Sequence, residues 1–169
     1  GSGRAGGRRY RPRGRGGVAL TGSSHNRVEV MHGANLDMLG SRDPEHYGTL
    51  TLNELEVQVH RFARELNLEA RFFRSNSEGE FIEHLHRLPG TADAVVLNAG
   101  AWTHYSWAIR DALDFCGLPA VEVHISDVLN REEWRRISVF DGLVLAAISG
   151  KGKDGYREAL ELVARELGI

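Results

Sequence analysis

The sequence predicts an α/β fold, a three-layer sandwich around a five-stranded parallel sheet. Two observations carry this. Five short strand-like runs alternate with helical stretches along the chain, as in successive βα units. The notable polar residues also cluster just after the strand-like runs, where parallel sheets bind ligands beyond the carboxyl ends of their strands. At 169 residues, with 41% hydrophobic and 26% charged residues, the chain fits one packed domain and not two.

Taken in order, Arg27 to Met31 (RVEVM) alternates and reads as the first strand. Thr51-x-x-Glu54 is a capping-box signature, and Leu52, Leu55, Val59, Phe62 and Leu66 then share a helical face. Leu68 to Arg74 forms the second strand. Ser77-x-x-Glu80 repeats the capping box before Phe81, Ile82, Leu85 and Leu88, with Pro89-Gly90 as the stop. Asp93 to Leu97 is the third strand, and Thr103 is placed to cap a helix through Trp107, Ala108, Ala112 and Phe115. Pro119 to Val123 is the fourth strand, Arg131 to Arg136 a short helical piece, and Leu143 to Ile148 the fifth strand. Asp154 to Leu167 closes the chain as a helix with Tyr156, Leu160 and Val163 inward.

Residues 1–26 are different material. They hold six arginines, eight glycines and no acid, so the remainder carries −8 of the overall −2 charge. This composition reads as a disordered tail or an untrimmed artificial extension, with the catalytic or binding domain spanning residues 27–169. An Arg/Gly arm for nucleic acid is the competing reading, disfavoured because the acidic body would repel phosphate. No apolar run approaches the roughly 20 residues that span a bilayer, and no signal-like segment opens the chain, so no membrane partner and a cytoplasmic location are expected. The single cysteine, Cys116, on a helical pattern, reads as a small buried hydrophobe that supports neither a disulfide nor a metal site.

The connection from His32 to Gly48 (HGANLDMLGSRDPEHYG) is far longer than the about 2–6 residues usual between a strand and its helix, and it carries Asn35, Arg42 and Tyr47. It reads as a lid that brings chemical groups with it. Glu122 and His124 are two apart on a strand, hence on one face, which lets the carboxylate orient the imidazole for acid/base work. Arg131 and Arg135, four apart, either grip an anion or polyol or form a solvated face with Glu132 and Glu133. Asn98, Gly100 and His104 are equally open to a binding or a turn reading. Gly150 to Gly155 matches G-x-G-x-x-G, but no acidic residue follows about 20 positions on, so a tight turn with solvated lysines is preferred to a dinucleotide site. His84 and His86 point to different helical faces. No metal and no cofactor are expected.

Three segments in this order, HGANLDMLGSRDPEHYG, LNAGAWTHYSWAIRDAL and VEVHISDVLNREEWRR, resemble the type II 3-dehydroquinate dehydratases, shikimate-pathway enzymes of flavodoxin-like fold. The resemblance runs from about Val28 to the C-terminus. It implies dehydration of 3-dehydroquinate to 3-dehydroshikimate by anti elimination through an enolate. Tyr47 matches the catalytic tyrosine, Arg42 the mobile lid arginine, Asn35 the enolate-stabilising asparagine, and His124 the general acid supported by Glu122. Asn98 with the Ile125-Ser126 segment matches the substrate-carboxylate site, His104 and Arg135 the hydroxyl contacts, and Arg131 the arginine beside the tyrosine. Asp111 matches an aspartate donated by a neighbouring subunit in a dodecamer of trimers.

The chain departs from the family's usual wording at His32, Ala34, Ala99, Trp102, Asp127 and Asp141-Gly142, keeping the catalytic side chains and altering loop prolines and the pocket wall. Two alternatives follow. One is a dehydratase for a related cyclic ketone such as aminodehydroquinate; the other is a non-catalytic binding module of the same fold. A Schiff-base route has no lysine to use except Lys151 and Lys153 in the glycine-rich turn.

Overall fold

The structure is a computed structural model that describes residues 25–41 and 43–169. Arg42 and nearly all of the 1–26 segment lie outside the described residues, so the lid-arginine and tail readings are not addressed by it. His25 and Asn26 are described, and both join the body: His25 Nδ1 is 2.9 Å from Asp93, and Asn26 Nδ2 donates to the Asn67 carbonyl.

Five parallel strands, β1 (Arg27–His32), β2 (Glu69–Arg74), β3 (Ala94–Asn98), β4 (Ala120–His124) and β5 (Ala146–Ser149), form one sheet in the order β2-β1-β3-β4-β5. Each central strand is buried on both faces. Along β1 and β3, Val28, Val30, Ala94 and Val96 face one apolar layer while Met31, Val95 and Leu97 face the other, as the two-residue period requires. Helices α2 (Leu52–Glu65) and α5 (Asp154–Glu166) cover the first layer through Leu55, Val59, Tyr156 and Leu160. On the second lie α3 (Glu78–Arg87) and α4 (Trp107–Cys116), through Phe81, Leu85, Ile109 and Leu113. The expected three-layer α/β sandwich is borne out.

Both capping boxes form at their serine or threonine: Thr51 Oγ1 accepts from Glu54 N and Ser77 Oγ from Glu80 N. The cap of α4 is Ser106, whose Oγ accepts from Ile109 N. Thr103 instead sits inside a 3-10 turn, Gly100–His104, that precedes the helix. The polar position in β1 is not solvent-facing either. Glu29 is buried and meets His84 Nε2 of α3 at 2.9 Å and Arg71 of β2 at 3.6 Å.

Two expectations need correction between β4 and the C-terminus. The run read as a strand from Leu143 begins pairing only near Leu145, because Leu143 N and Val144 N both donate back to the Phe140 carbonyl and the chain turns at Gly142, whose φ is +82°. Burial of Phe140 anchors that turn. The helical piece read as Arg131 to Arg136 is a 3-10 turn, Glu133–Arg136, and Arg131 precedes it in an extended conformation. The two arginines therefore do not share a helical face.

The chain leaves β1 for β2 on one side and returns to β3 on the other, so the loops after β1 and β3 diverge at a topological switch point. They cross there in direct contact. A Cβ at Gly33 would lie 2.5 Å from the Ala99 carbonyl oxygen, and one at Gly100, with φ +62°, would overlap the Ala34 carbonyl. The G-K-G-K-D-G stretch is the expected tight turn: Gly150 and Gly152 have φ +78° and +55°, and Gly150 abuts Asp127. Lys151 is exposed there, as expected, and its Nζ lies 2.5 Å from Glu158.

Candidate active site

A small cavity of about 80 Å³ opens beyond the ends of β1, β3 and β4. Its wall brings together Asn35, Tyr47, Asn98, His104, His124, Ile125, Ser126 and Arg135, residues drawn from the connections that follow β1, β3 and β4. Tyr47 and Ile125 also border a larger neighbouring cavity of about 470 Å³ that runs beneath the 45–48 turn to Gly150–Lys153. The converging titratable and amide groups are in the smaller one.

Tyr47 reaches the pocket because the long loop contains a one-turn helix that the sequence reading missed, α1 (Pro44–Tyr47). Asp43 caps it by accepting from Glu45 N at 3.0 Å, and Pro44 fixes its first residue. Across from it, Arg131 Nη1 donates to Tyr47 Oη at 2.5 Å and to Ser126 Oγ at 3.2 Å. Its guanidinium carbon is 5.2 Å from the tyrosine ring centre. A charge-assisted donor so placed stabilises negative charge on the phenol oxygen.

Glu122 and His124 lie on one face of β4, both buried, as their spacing predicts. His124 Nε2 is 3.2 Å from Glu122 Oε2, an ion-pair distance without full hydrogen-bond alignment. The other carboxylate oxygen accepts from Ser138 Oγ, which is itself held by Phe140 N at 3.1 Å. Ser138 comes from a run without helical or strand periodicity, so nothing local in the sequence marks it.

His104 stacks near His124, with ring centres 6.1 Å apart, and meets Trp134 edge-on at 5.1 Å. Its Nδ1 donates to the Ile137 carbonyl at 2.6 Å, which assigns the proton of the neutral ring. Burial holds its pKa below the usual histidine value; the Ile137 carbonyl opposes that, and His124 and Arg135 add to it. Arg135 lies over Trp134, 4.2 Å from the ring centre, and its Nε donates to Glu132 Oε2 at 2.5 Å. The side chains of Arg131 and Arg135 are only 10% and 15% exposed while Glu132 is 54% exposed. Arg135 lines the pocket, Arg131 reaches Tyr47 and Ser126 on its wall, and Glu132 pairs with both arginines from the exposed side.

Asn98, at the end of β3, is nearly buried; its Oδ1 accepts from Gly100 N and its Nδ2 donates to Tyr156 Oη. Asn35 adopts the left-handed conformation, φ +68°, that asparagine tolerates better than most residues. Its backbone N–H donates to Asn76 Oδ1 at 2.8 Å, and Asn76 Nδ2 donates to Asp37, so the loop after β2 braces the loop after β1. Asp111 is not part of this pocket. It lies on the outer face of α4, beside Trp107, Arg110 and Asp114 in a separate surface cavity.

The chain is similar in sequence and in fold to known proteins. A family model described as dehydroquinase class II matches residues 26–164. The 3-dehydroquinate dehydratase of Syntrophotalea carbinolica is 48% identical over 135 residues, covering 79% of this chain and 91% of that protein. A catabolic 3-dehydroquinase of Verticillium alfalfae is 45% identical over 141 residues, covering 83% and 94%. Among solved structures, the type II dehydroquinase of Propionibacterium acnes superposes with a TM-score of 0.79 at 38% identity, covering 83% of this chain and 97% of that one. With the fold and the sequence in agreement over most of its length, the chain belongs to the class II dehydroquinase family.

Proposed function

We propose that the chain dehydrates 3-dehydroquinate to 3-dehydroshikimate by anti elimination through an enolate, in the shikimate pathway. The observation that carries this reading is the pairing of two proton-transfer groups on one cavity, Tyr47 with Arg131 at its phenol oxygen and His124 with Glu122 behind it. Tyr47 as phenolate removes the proton from the carbon beside the carbonyl. Asn35 stabilises the enolate oxygen that forms. His124 then protonates the hydroxyl as it leaves the next carbon, and Glu122 balances the charge on the imidazolium. Asn98 and the Ile125-Ser126 segment hold the carboxylate, and His104 and Arg135 hold ring hydroxyls. The test is a direct assay for the conjugated enone. The purified chain should form it from 3-dehydroquinate and His124→Ala should not; a wild-type chain without enone formation overturns the reading.

The same reading includes a cytoplasmic homo-oligomer built of trimers, a dodecamer, in which Asp111 serves a neighbouring site. Its support is the outer face of α4, where Trp107 and Phe115 are 65% and 79% exposed beside Asp111. Light scattering on the active protein tests it, and an active monomer refutes it. Among the described residues no helix is long and apolar enough to cross a membrane.

A further inference from the structure

Behind the pocket, between β1, β3 and α5, lies a buried polar chain that the elimination chemistry does not use. His32 ends β1 and is completely buried, and its Nε2 lies 2.9 Å from Tyr156 Oη. Tyr156, equally buried, projects from the first turn of α5. Its hydroxyl accepts from Asn98 Nδ2 at 3.4 Å, while Asn98 Oδ1 accepts from Gly100 N at 3.2 Å. On the other side, His32 Nδ1 faces Glu56 Oε1 of α2 at 3.8 Å, and both atoms are buried without a hydrogen-bond partner.

Counting protons gives this chain a direction. With Asn98 Nδ2 donating to its oxygen, the buried Tyr156 hydroxyl satisfies its own single hydrogen by donating to His32 Nε2. That nitrogen must then be bare, and the neutral ring carries its hydrogen on Nδ1, toward Glu56. Burial, reinforced by Arg74, lowers the His32 pKa to about 3 and so keeps the ring neutral. Burial also pushes the Tyr156 phenol up, so its hydrogen stays available.

We infer that His32 and Tyr156 are positioning residues for Asn98, fixing its amide so that the oxygen faces Gly100 and the second Nδ2 hydrogen is presented to the substrate's carboxylate. This rests on the proposed function, because it needs a carboxylate at Asn98. A flipped amide would set its NH₂ against the Gly100 N–H and turn its oxygen toward the anion. The carboxylate's charge does not change during elimination. Its contact is therefore the same in ground and transition states, and weakening it acts on KM and not on kcat.

Tyr156→Phe removes the oxygen and keeps the ring. It is expected to raise KM for 3-dehydroquinate about three- to tenfold while kcat stays within about twofold. Separately, nitrogen NMR of the wild-type imidazoles, with the His32 signals identified by their loss in His32→Asn, is expected to show an Nδ1–H ring that does not titrate between about pH 5 and 8. An unchanged KM in an active Tyr156→Phe, or a His32 ring protonated on Nε2, overturns the inference. The tautomer is read without substrate. A chain that forms no enone would thus refute the dehydration reading, while the relay would still stand or fall on the NMR result.

Discussion

Replacing His32 by asparagine should flatten the acid side of the stability profile. Buried histidine with a pKa of about 3 in the fold has a usual value of 6.5 once unfolded, so between those pH values the unfolded chain binds the proton and the native chain does not. Stability then rises with pH across this window: it is complete above about 6.5, is lost progressively as pH falls toward 3, and changes no further below. Each unit is worth about 1.36 kcal/mol, so His32 alone should cost about 2 kcal/mol between pH 7 and pH 5 and about 5 kcal/mol by pH 3. Glu56, whose carboxyl burial holds above its ordinary value, works in the opposite sense, but it is present in both proteins. Arg74 is the cation that faces the pair. Urea unfolding of wild type and His32→Asn at pH 5, 6 and 7, at one protein concentration, isolates the histidine as a difference in slope. Lost packing in the variant is a constant offset. If the two profiles run parallel, His32 is protonated in the native state, and the neutral relay to Tyr156 is wrong.

Tyr47→Phe should lower kcat by about 10²- to 10⁴-fold, the usual range for a lost general base, while substrate affinity measured by calorimetry is retained. Near wild-type turnover would place the base elsewhere. Ser138→Ala removes one donor from a buried carboxylate, a contact worth about 1.5–3 kcal/mol, and should lower kcat roughly tenfold with KM unchanged in the enone assay. An unaltered kcat returns Ser138 to a purely structural part in the Phe140 turn. Arg135→Lys gives up both the Nε hydrogen bond to Glu132 and the stacking on Trp134, so KM should rise about tenfold despite the conserved charge. An unchanged KM would show that Arg135 does not touch the substrate.

The helical part of the fold was legible because its signals are local. Thr51 and Ser77 announce helix starts within three residues, and the apolar faces of α2, α3 and α5 repeat at helical spacing. Pairing Glu122 with His124 needed only the two-residue period of a strand. What sequence misread lies where tertiary burial overrides local pattern. Apolar Leu143 to Leu145 resembles a strand, yet the buried Phe140 and the positive φ of Gly142 turn it. Spacing put Arg131 and Arg135 on one helix, yet Arg131 is extended and reaches the pocket by pairing with Tyr47, 84 residues away. Local rules cannot reach such a partner.

The same limit explains why His32 registered in the sequence only as a departure from the family wording. Its partners, Glu56, Tyr156 and Asn98, come from α2, α5 and β3, and they meet only because β1 occupies the sheet between β2 and β3 at the switch point. That position has a physical consequence for the site. The carbonyl of Asn98 accepts from Gly33 N at 2.8 Å, and Gly100 packs on the Ala34 carbonyl, so the loop bearing Asn35 and the strand end bearing Asn98 cannot shift independently. A side chain buried beneath this crossing therefore bears on both amides that face the pocket. His32 occupies that place, where a polar residue with a directional hydrogen bond can orient Asn98 and a purely apolar one could not.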